Sequence, residues 1–344
     1  MRDLVVVGGG PIGLATALYA TRAGLDVVVH EPREAPVDKA CGEGLMPGAV
    51  AELDALGIDL PGHAIAGIRY VAGRRSVDAP FTAGPGRGVR RTALHAALSE
   101  AAGREGVPVE RRTVRSLTQD VDGVLVDGER ARYVVAADGL HSTVRRLAGL
   151  EGSRRGRRRY GLRRHFAMAP WTPFVEVHWS PRAEAYVTPV GDDCVGVAVL
   201  VDGGGDYDDL LTGFPALAER LTGAPASRVL GAGPLRQRSR RRVAGRVLLV
   251  GDASGYVDAL TGEGVALGLA QARAAVTAVR SGDPAPYERT WRQLSWRHNA
   301  LTQGLLATTG RPMLRRGLVP AAEILPWLFR VAVNELARPV VEPA

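Results

Sequence analysis

Six residues near the start, Gly8-Gly9-Gly10-Pro11-Ile12-Gly13, have the spacing that brings a phosphate chain against backbone amides. In such a turn Gly8 bends the chain tightly, Gly10 admits a pyrophosphate to the main chain, and Gly13 lets the next helix pack on the preceding strand. Glycines by themselves mark only a turn. Here they lie between the apolar run Leu4 to Val7 and a helix expected over Pro11 to Ala23, with a second apolar run at Val27 to Val29. Glu31 ends that second strand about 20 residues on, where a carboxylate accepts ribose hydroxyl hydrogen bonds and disfavours a 2′-phosphate. The chemistry is dinucleotide binding, with the pyrophosphate at the N-terminus of a helix.

Other chemistries lack their residues. Seven histidines and two cysteines show no His-x-x-x-His or Cys-x-x-Cys spacing, so no metal is expected. The Gly-x-Ser-x-Gly and phosphate-loop signatures are also missing, which removes the common hydrolase and NTPase readings. Cys41 and Cys194 are far apart in a chain without a secretion signal, so free thiols and a cytoplasmic location are expected.

The elements that must position the glycine turn follow from the hydrophobic pattern. Strand, turn, helix and strand over the first thirty residues make a βαβ unit, with Gly24 as the helix C-cap. Helices are expected over Gly48 to Leu56 and Thr92 to Arg104, a strand over Ile65 to Val71, and a buried strand over Tyr133 to Ala137. From Tyr160 to Val201 the segments Phe174 to Trp179, Ala185 to Val190 and Cys194 to Val201 are rich in β-formers and read as a separate antiparallel sheet. A helix-forming stretch at Tyr207 to Leu221 precedes the strand Arg246 to Val250, which leads into Gly251-Asp252. The tail from Trp291 reads as helical, with breaks at Gly310-Arg311-Pro312 and Pro320.

At 344 residues and 46% hydrophobic content, the chain suits two domains or one elaborated domain. Its net charge is +8, and Arg154, Arg155, Arg157, Arg158, Arg159, Arg163 and Arg164 form a basic run. Lys39 is the sole lysine, so arginine is a habit of composition here, and no nucleic-acid partner is expected. The run reads as a solvated sheet edge or as an attraction for acidic ligands, such as the phosphates of a nicotinamide donor or a lipid diphosphate.

Two further segments carry a resemblance. Val134-Val135-Ala136-Ala137-Asp138-Gly139-Leu140-His141-Ser142-Thr143-Val144-Arg145 resembles the Asp-Gly signature of the FAD-dependent aromatic hydroxylase superfamily, and Leu248-Leu249-Val250-Gly251-Asp252-Ala253-Ser254-Gly255 resembles its Gly-Asp signature. With the glycine turn these are three signatures in the family's order, between residues 3 and 280. The resemblance implies FAD, with Asp252 on the ribityl chain, Asp138 and Gly139 beside the flavin, and Gly251 in the same turn. It implies a helix beginning near Gly262, Gly264 and Val265 that aims its amides at the flavin, where they favour negative charge on the reduced ring. Arg91, in Arg91-x-x-Leu94-x-x-x-Leu98, is similar to the arginine that crosses to the FAD. Asp138 also suits a simple strand-end turn, and Arg91 a surface helix.

The Gly-Asp signature departs from the hydroxylase form, having Gly255 and Ala259 where a histidine and a proline are usual. Leu260-Thr261-Gly262-Glu263-Gly264 is closer to the geranylgeranyl reductase branch, and Cys41-Gly42-Glu43-Gly44 resembles that branch's loop near the flavin. Tyr186-Val187-Thr188-Pro189 is a loose match to its substrate strand. Flavin halogenases share the fold, but their Trp-x-Trp-x-Ile-Pro is missing.

The expected fold class is α/β: a Rossmann-like FAD-binding domain (1–64, 89–150 and 240–285), an inserted antiparallel β-sheet substrate domain (65–88 and 151–239) and C-terminal helices (286–344). The expected activity is FAD-dependent oxidoreduction, with NAD(P)H docking transiently as electron donor. A monooxygenase hydroxylating or epoxidising a small apolar or aromatic metabolite is set narrowly first. An ene-reductase using Cys41 or Tyr186 as proton donor is the alternative, and a non-catalytic flavin-binding protein the third reading. The segment Gly317 to Leu336 suits either a peripheral membrane contact or a helix that caps the substrate sheet.

Overall fold

The computed structural model describes residues 1–153 and 156–340. Its first sheet has the strand order Val243–Ala244, Val247–Leu249, Glu129–Ala136, Arg2–Val7, Val27–His30 and Val109–Glu110. The pairs from Val247–Leu249 to Val109–Glu110 are parallel, as helical crossovers require. Leu4, Val5 and Val6 are fully buried because helices and a hairpin cover both faces of the sheet, which explains a continuous apolar run in place of alternation. Helix Pro11–Arg22 begins with proline at its first position, and the chain leaves it through Gly24 at φ 79°.

The second sheet runs Ala224–Pro225, Arg159–Ala167, Cys194–Asp202, Ala183–Gly191, Phe174–Trp179, Gly67–Ala72 and Arg75–Pro80. It is antiparallel except where Phe174–Trp179 meets Gly67–Ala72. A small sheet of Gly44–Leu45, Gly86–Gly88 and His63–Ile65 lies between the two larger ones, and Gly88 packs so closely that a Cβ would sit 1.7 Å from the Pro189 carbonyl oxygen. The expected strand at Ile65 to Val71 is therefore split, its first residue in the small sheet and the rest in the large one.

Part of the arginine run departs from the solvated edge expected of it: Arg157 and Arg158 are exposed, but Arg159 and Arg163 are buried. Strand Arg159–Ala167 buries Arg159, Gly161, Arg163 and His165 in alternation, so its polar face is the inward one. Arg159 pairs with Glu184 at 2.6 Å, Arg163 with Asp38 at 2.5 Å and Arg164 with Asp208 at 2.5 Å, while Arg157 pairs with Asp202. The charges of Arg159 and Arg163 go inward where the carboxylates of Glu184 and Asp38, on other elements, receive them. Arg154 and Arg155 lie outside the described residues.

The stretch Tyr207 to Leu221 forms two short helices, Tyr207–Leu211 and Pro215–Arg220. The tail forms helices Tyr287–Thr309, Pro312–Ile324 and Pro326–Ala337. The chain breaks at Gly310 and Arg311 as expected, but Pro320 stays inside its helix and the second break falls at Leu325. Tertiary contact overrides the proline: Arg315 and Val319 are buried, with Arg315 bonded to Glu184 and to the Ser180 carbonyl. Among the described residues, no helix is long and apolar enough to cross a membrane.

Candidate active site

A cavity of about 310 Å³ opens between the glycine turn, the second sheet and the last helix. Gly10, Pro11 and Ile12 form part of one wall, with Arg91, Asp138 and Gly139 beside them. Gly251, Asp252, Gly262, Gly264 and Val265 close the same end. Cys41 and Tyr186 also line it, so thirteen of the sixteen expected site residues meet in one space. Gly8, Gly13 and Glu31 lie behind this wall.

The glycines are required there by contact. A Cβ on Gly13 would lie 1.7 Å from the Gly8 carbonyl oxygen, and one on Gly8, whose φ is 102°, would strike Ala137 at 2.6 Å. At Gly10 a Cβ would meet only an Arg91 guanidinium nitrogen at 3.6 Å, so the main chain faces open cavity with a cation above it. Backbone and cation so arranged could hold a pyrophosphate. Glu31 accepts a hydrogen bond from the Gly9 amide at 2.8 Å and is held by Arg33. Burial would raise its carboxyl, but the bonds from Arg33 and Gly9 win and hold it below the usual range.

Asp138 does two things. Its Oδ2 accepts from the Thr143 and Val144 amides at 2.7 and 3.1 Å, capping helix Thr143–Leu147, while the buried Oδ1 has no partner. Burial raises its carboxyl. Asp252 is also raised by burial, with Lys39, Arg91 and Arg145 opposing the shift. Helix Gly264–Ser281 starts at the cavity after Gly262, at φ 71°, so its first amides point into the site.

Four residues at this end escaped the sequence reading. Lys39 lines the cavity, its ammonium lowered by burial and by Arg33 and Arg91, and its Nζ is 3.1 Å from where a Cβ on Gly139 would lie. His95 Nε2 bonds the Gly9 carbonyl at 2.9 Å and steadies the turn. Arg145 was quoted in a motif without a role, yet it bonds the Leu140 and Ala253 carbonyls and so joins the Asp-Gly and Gly-Asp turns. Glu43 accepts from the Arg91 amide at 2.8 Å. A sole lysine and a histidine four residues after Arg91 were the available signals for two of them.

The other end of the cavity is apolar. Ile65, Ile68, Val175, Val177 and Leu260 line it, and Val333 and Leu336 of the last helix complete it. Cys41 lines the same cavity, a half-buried free thiol that burial pushes up, with Arg91 opposing the shift. Such a thiol keeps its proton at neutral pH. Tyr186 donates its hydroxyl to the Leu260 carbonyl at 3.1 Å and is raised well above the ordinary tyrosine value, first by burial and then by Glu184. Its proton is therefore engaged. Elsewhere His30, Glu110 and Glu129 approach one another, but Arg112 bonds Glu129 and lies 3.8 Å from Glu110, supplying the positive charge already.

The FAD binding domain family matches residues 1–185. Menaquinone reductase of Mycolicibacterium smegmatis is 31% identical over 87% of this chain and 81% of its own length. Digeranylgeranylglycerophospholipid reductase 1 of Methanothermobacter thermautotrophicus is 28% identical over 85% of this chain and 82% of its own. In fold, the crystal structure of a flavoprotein/dehydrogenase from Cytophaga hutchinsonii superposes with a TM-score of 0.79 at 17% identity, covering 98% of both chains.

Proposed function

The chain belongs to the FAD binding domain family, and from that premise we propose that this FAD-dependent oxidoreductase saturates a carbon–carbon double bond of a prenyl chain, with NAD(P)H as electron source. Bound FAD supplies the hydride. The chain's own residues do the rest. Gly8, Gly10, Gly13 and Glu31 would hold the nucleotide, and Arg91 and Lys39 would supply positive charge to its pyrophosphate. Asp138, Gly139, Gly251, Asp252 and the amides from Gly262 to Val265 hold the flavin end, and residues 65–88 and 151–239 supply the substrate surface.

The observation that carries this reading is that the Cys41 thiol lines the same cavity as Arg91 and Asp252 on one hand and the apolar side chains Ile65, Ile68, Val175 and Val177 on the other. Reducing an isolated alkene needs a hydride on one carbon and a proton on the other. A prenyl chain offers no group for hydrogen bonding, so an apolar slot is what holds it and excludes water. Cys41 retains a proton to give, whereas the Tyr186 hydroxyl is bound to Leu260 and serves as a wall. The names of the two relatives, both reductases, support reduction over the oxygenation that the sequence set first.

Delivery of so apolar a substrate fits a lipid surface. Met313, Ile324, Trp327, Leu328 and Val331 are exposed on the last two helices, while Phe329 and Val333 of the same segment are buried against the second sheet. Exposed Arg311, Arg316 and Arg330 flank them. We read this face as a peripheral contact with an anionic bilayer, beside the apolar end of the cavity.

The test is anaerobic. Flavin-loaded protein is bleached with NADPH and mixed with geranylgeranyl diphosphate, which has no quinone ring to take electrons directly. Return of the oxidised-flavin spectrum without oxygen supports the proposal. A spectrum that stays bleached until oxygen enters overturns it.

A further inference from the structure

Helix Gly264–Ser281 starts without a side-chain cap. The residue before a helix commonly turns a side-chain oxygen onto the first amides, but Glu263 makes no such bond. The amides of Gly264, Val265 and Ala266 have no partner within their own helix. Gly262, Gly264 and Val265 line the cavity, so these donors are left to what the cavity holds.

The two polar side chains beside the helix start, Thr261 and Glu263, are held elsewhere by one stripe of the helix that follows. Trp291, Ser295, His298 and Thr302 lie on helix Tyr287–Thr309 at intervals of four, three and four residues, which puts them on one face, and all are buried. Trp291 Nε1 donates to Ser254 Oγ at 2.8 Å, Gln271 Nε2 donates to Ser295 Oγ at 3.1 Å, and the Thr302 and Thr261 hydroxyls lie 3.1 Å apart. His298 Nδ1 lies 2.6 Å from Glu263 Oε2. Three of these bonds do not involve Glu263, so the fourth is not needed to dock the stripe. Burial raises the Glu263 carboxyl, and His298 and Arg297 oppose the shift. Arg297 is already paired with Glu335, which leaves His298 as the group that draws the carboxylate away from its own helix. A carboxylate released there is attracted to the positive end of that helix.

We propose that His298 is a positioning residue that keeps the Glu263 carboxylate off the first turn of helix Gly264–Ser281 and so leaves those amides to the flavin. The inference rests on reading the amides from Gly262 to Val265 as flavin-holding and needs nothing of the prenyl reaction. Without the histidine, Glu263 competes with the cofactor for the same donors.

Two measurements on the full-length protein test it, both in mildly alkaline buffer, which keeps a released carboxylate ionised. In flavin-stripped protein, hydrogen exchange of the peptide that carries Gly264 to Leu267 is followed by mass spectrometry. His298→Leu is expected to slow it, because the freed carboxylate bonds the amides, and the double variant His298→Leu/Glu263→Ala to return it to the wild-type rate. In flavin-loaded protein, release of FAD on dilution is followed by the fluorescence of the freed flavin. His298→Leu is expected to weaken FAD binding roughly tenfold, and the double variant to bind within about threefold of wild type. A double variant that binds FAD no better than His298→Leu overturns the proposal and leaves His298 a packing residue. Exchange and affinity both unchanged in His298→Leu overturn it too, and the flavin site stands. Slowed exchange with unchanged affinity means that the carboxylate caps the helix while the flavin does not use those amides; the reading of Gly262 to Val265 then fails and takes the inference with it.

Discussion

The Arg145 guanidinium donates to the main-chain oxygen of Ala253, 108 residues further along the chain, at 2.9 Å. The same guanidinium bonds the Leu140 carbonyl at 2.8 Å and Gln237 Oε1 at 3.2 Å. Arg145→Ala leaves these acceptors buried and unbonded, which costs on the order of 3 kcal/mol. The expected outcome is a lower urea midpoint and a protein that loses FAD on gel filtration, and an unchanged midpoint would remove Arg145 from this role.

Gly13 and Gly24 separate close approach from backbone conformation. Gly13→Ala puts a methyl 1.7 Å from the Gly8 carbonyl oxygen, and the purified protein is expected to carry no flavin. Gly24→Ala has nothing within 4 Å and only its φ of 79° against it, so it loses about 1 kcal/mol and stays yellow. Absorbance of the two preparations decides the matter.

Cys41 and Tyr186 are distinguished by substitution. Cys41→Ala is expected to slow prenyl reduction by roughly a hundredfold or more while leaving the rate of cofactor reduction by NADPH in place. Tyr186→Phe keeps the wall and loses only the bond to the Leu260 carbonyl, so it changes the rate by less than about threefold. Stopped-flow rates of the two half-reactions check both, and the reverse ranking would move the proton donor to Tyr186.

Asp258 makes stability fall as pH rises. Burial pushes its carboxyl up to about 6 from 3.8, although Arg159 opposes the shift. The folded protein therefore holds the proton more tightly than the unfolded chain. The stabilisation is fully present below the unfolded value near 4 and is lost as pH passes through about 6, on the order of 3 kcal/mol in all. Asp258→Asn lacks this dependence. Its stability relative to wild type, from urea melts between pH 4 and pH 8, is expected to rise across that window and then level off; a flat difference contradicts the assignment.

The exposed face of the last two helices predicts flotation with anionic vesicles. Trp327→Asp is expected to weaken vesicle binding roughly tenfold or more without changing the melting temperature, because Trp327 is 62% exposed and packs on little. Equal flotation of the two proteins would leave that face without a lipid partner.

Much of the glycine turn was legible because close approach leaves residue types behind. Gly8 and Gly13 are glycines for contacts the structure contains, and the apolar runs flanking them are the buried parallel strands. What could not be read is what long-range pairing decides. Arg159 and Arg163 look like surface charges until Glu184 and Asp38 arrive from other elements, and His165 gives no sign that Glu43, 122 residues earlier, is its partner. Pro320 stays helical because Arg315 and Val319 anchor its helix to the sheet, a contact that no local rule contains.

The central claim is that a prenyl double bond is reduced in the cavity that Cys41 lines. The most direct measurement is the mass of the product formed in air from geranylgeranyl diphosphate and NADPH by the flavin-loaded protein. The account predicts a product heavier by a pair of hydrogen atoms for each bond reduced, with no oxygen gained, and loss of that product in Cys41→Ala. A product heavier by one oxygen atom would contradict it and make the enzyme an oxygenase.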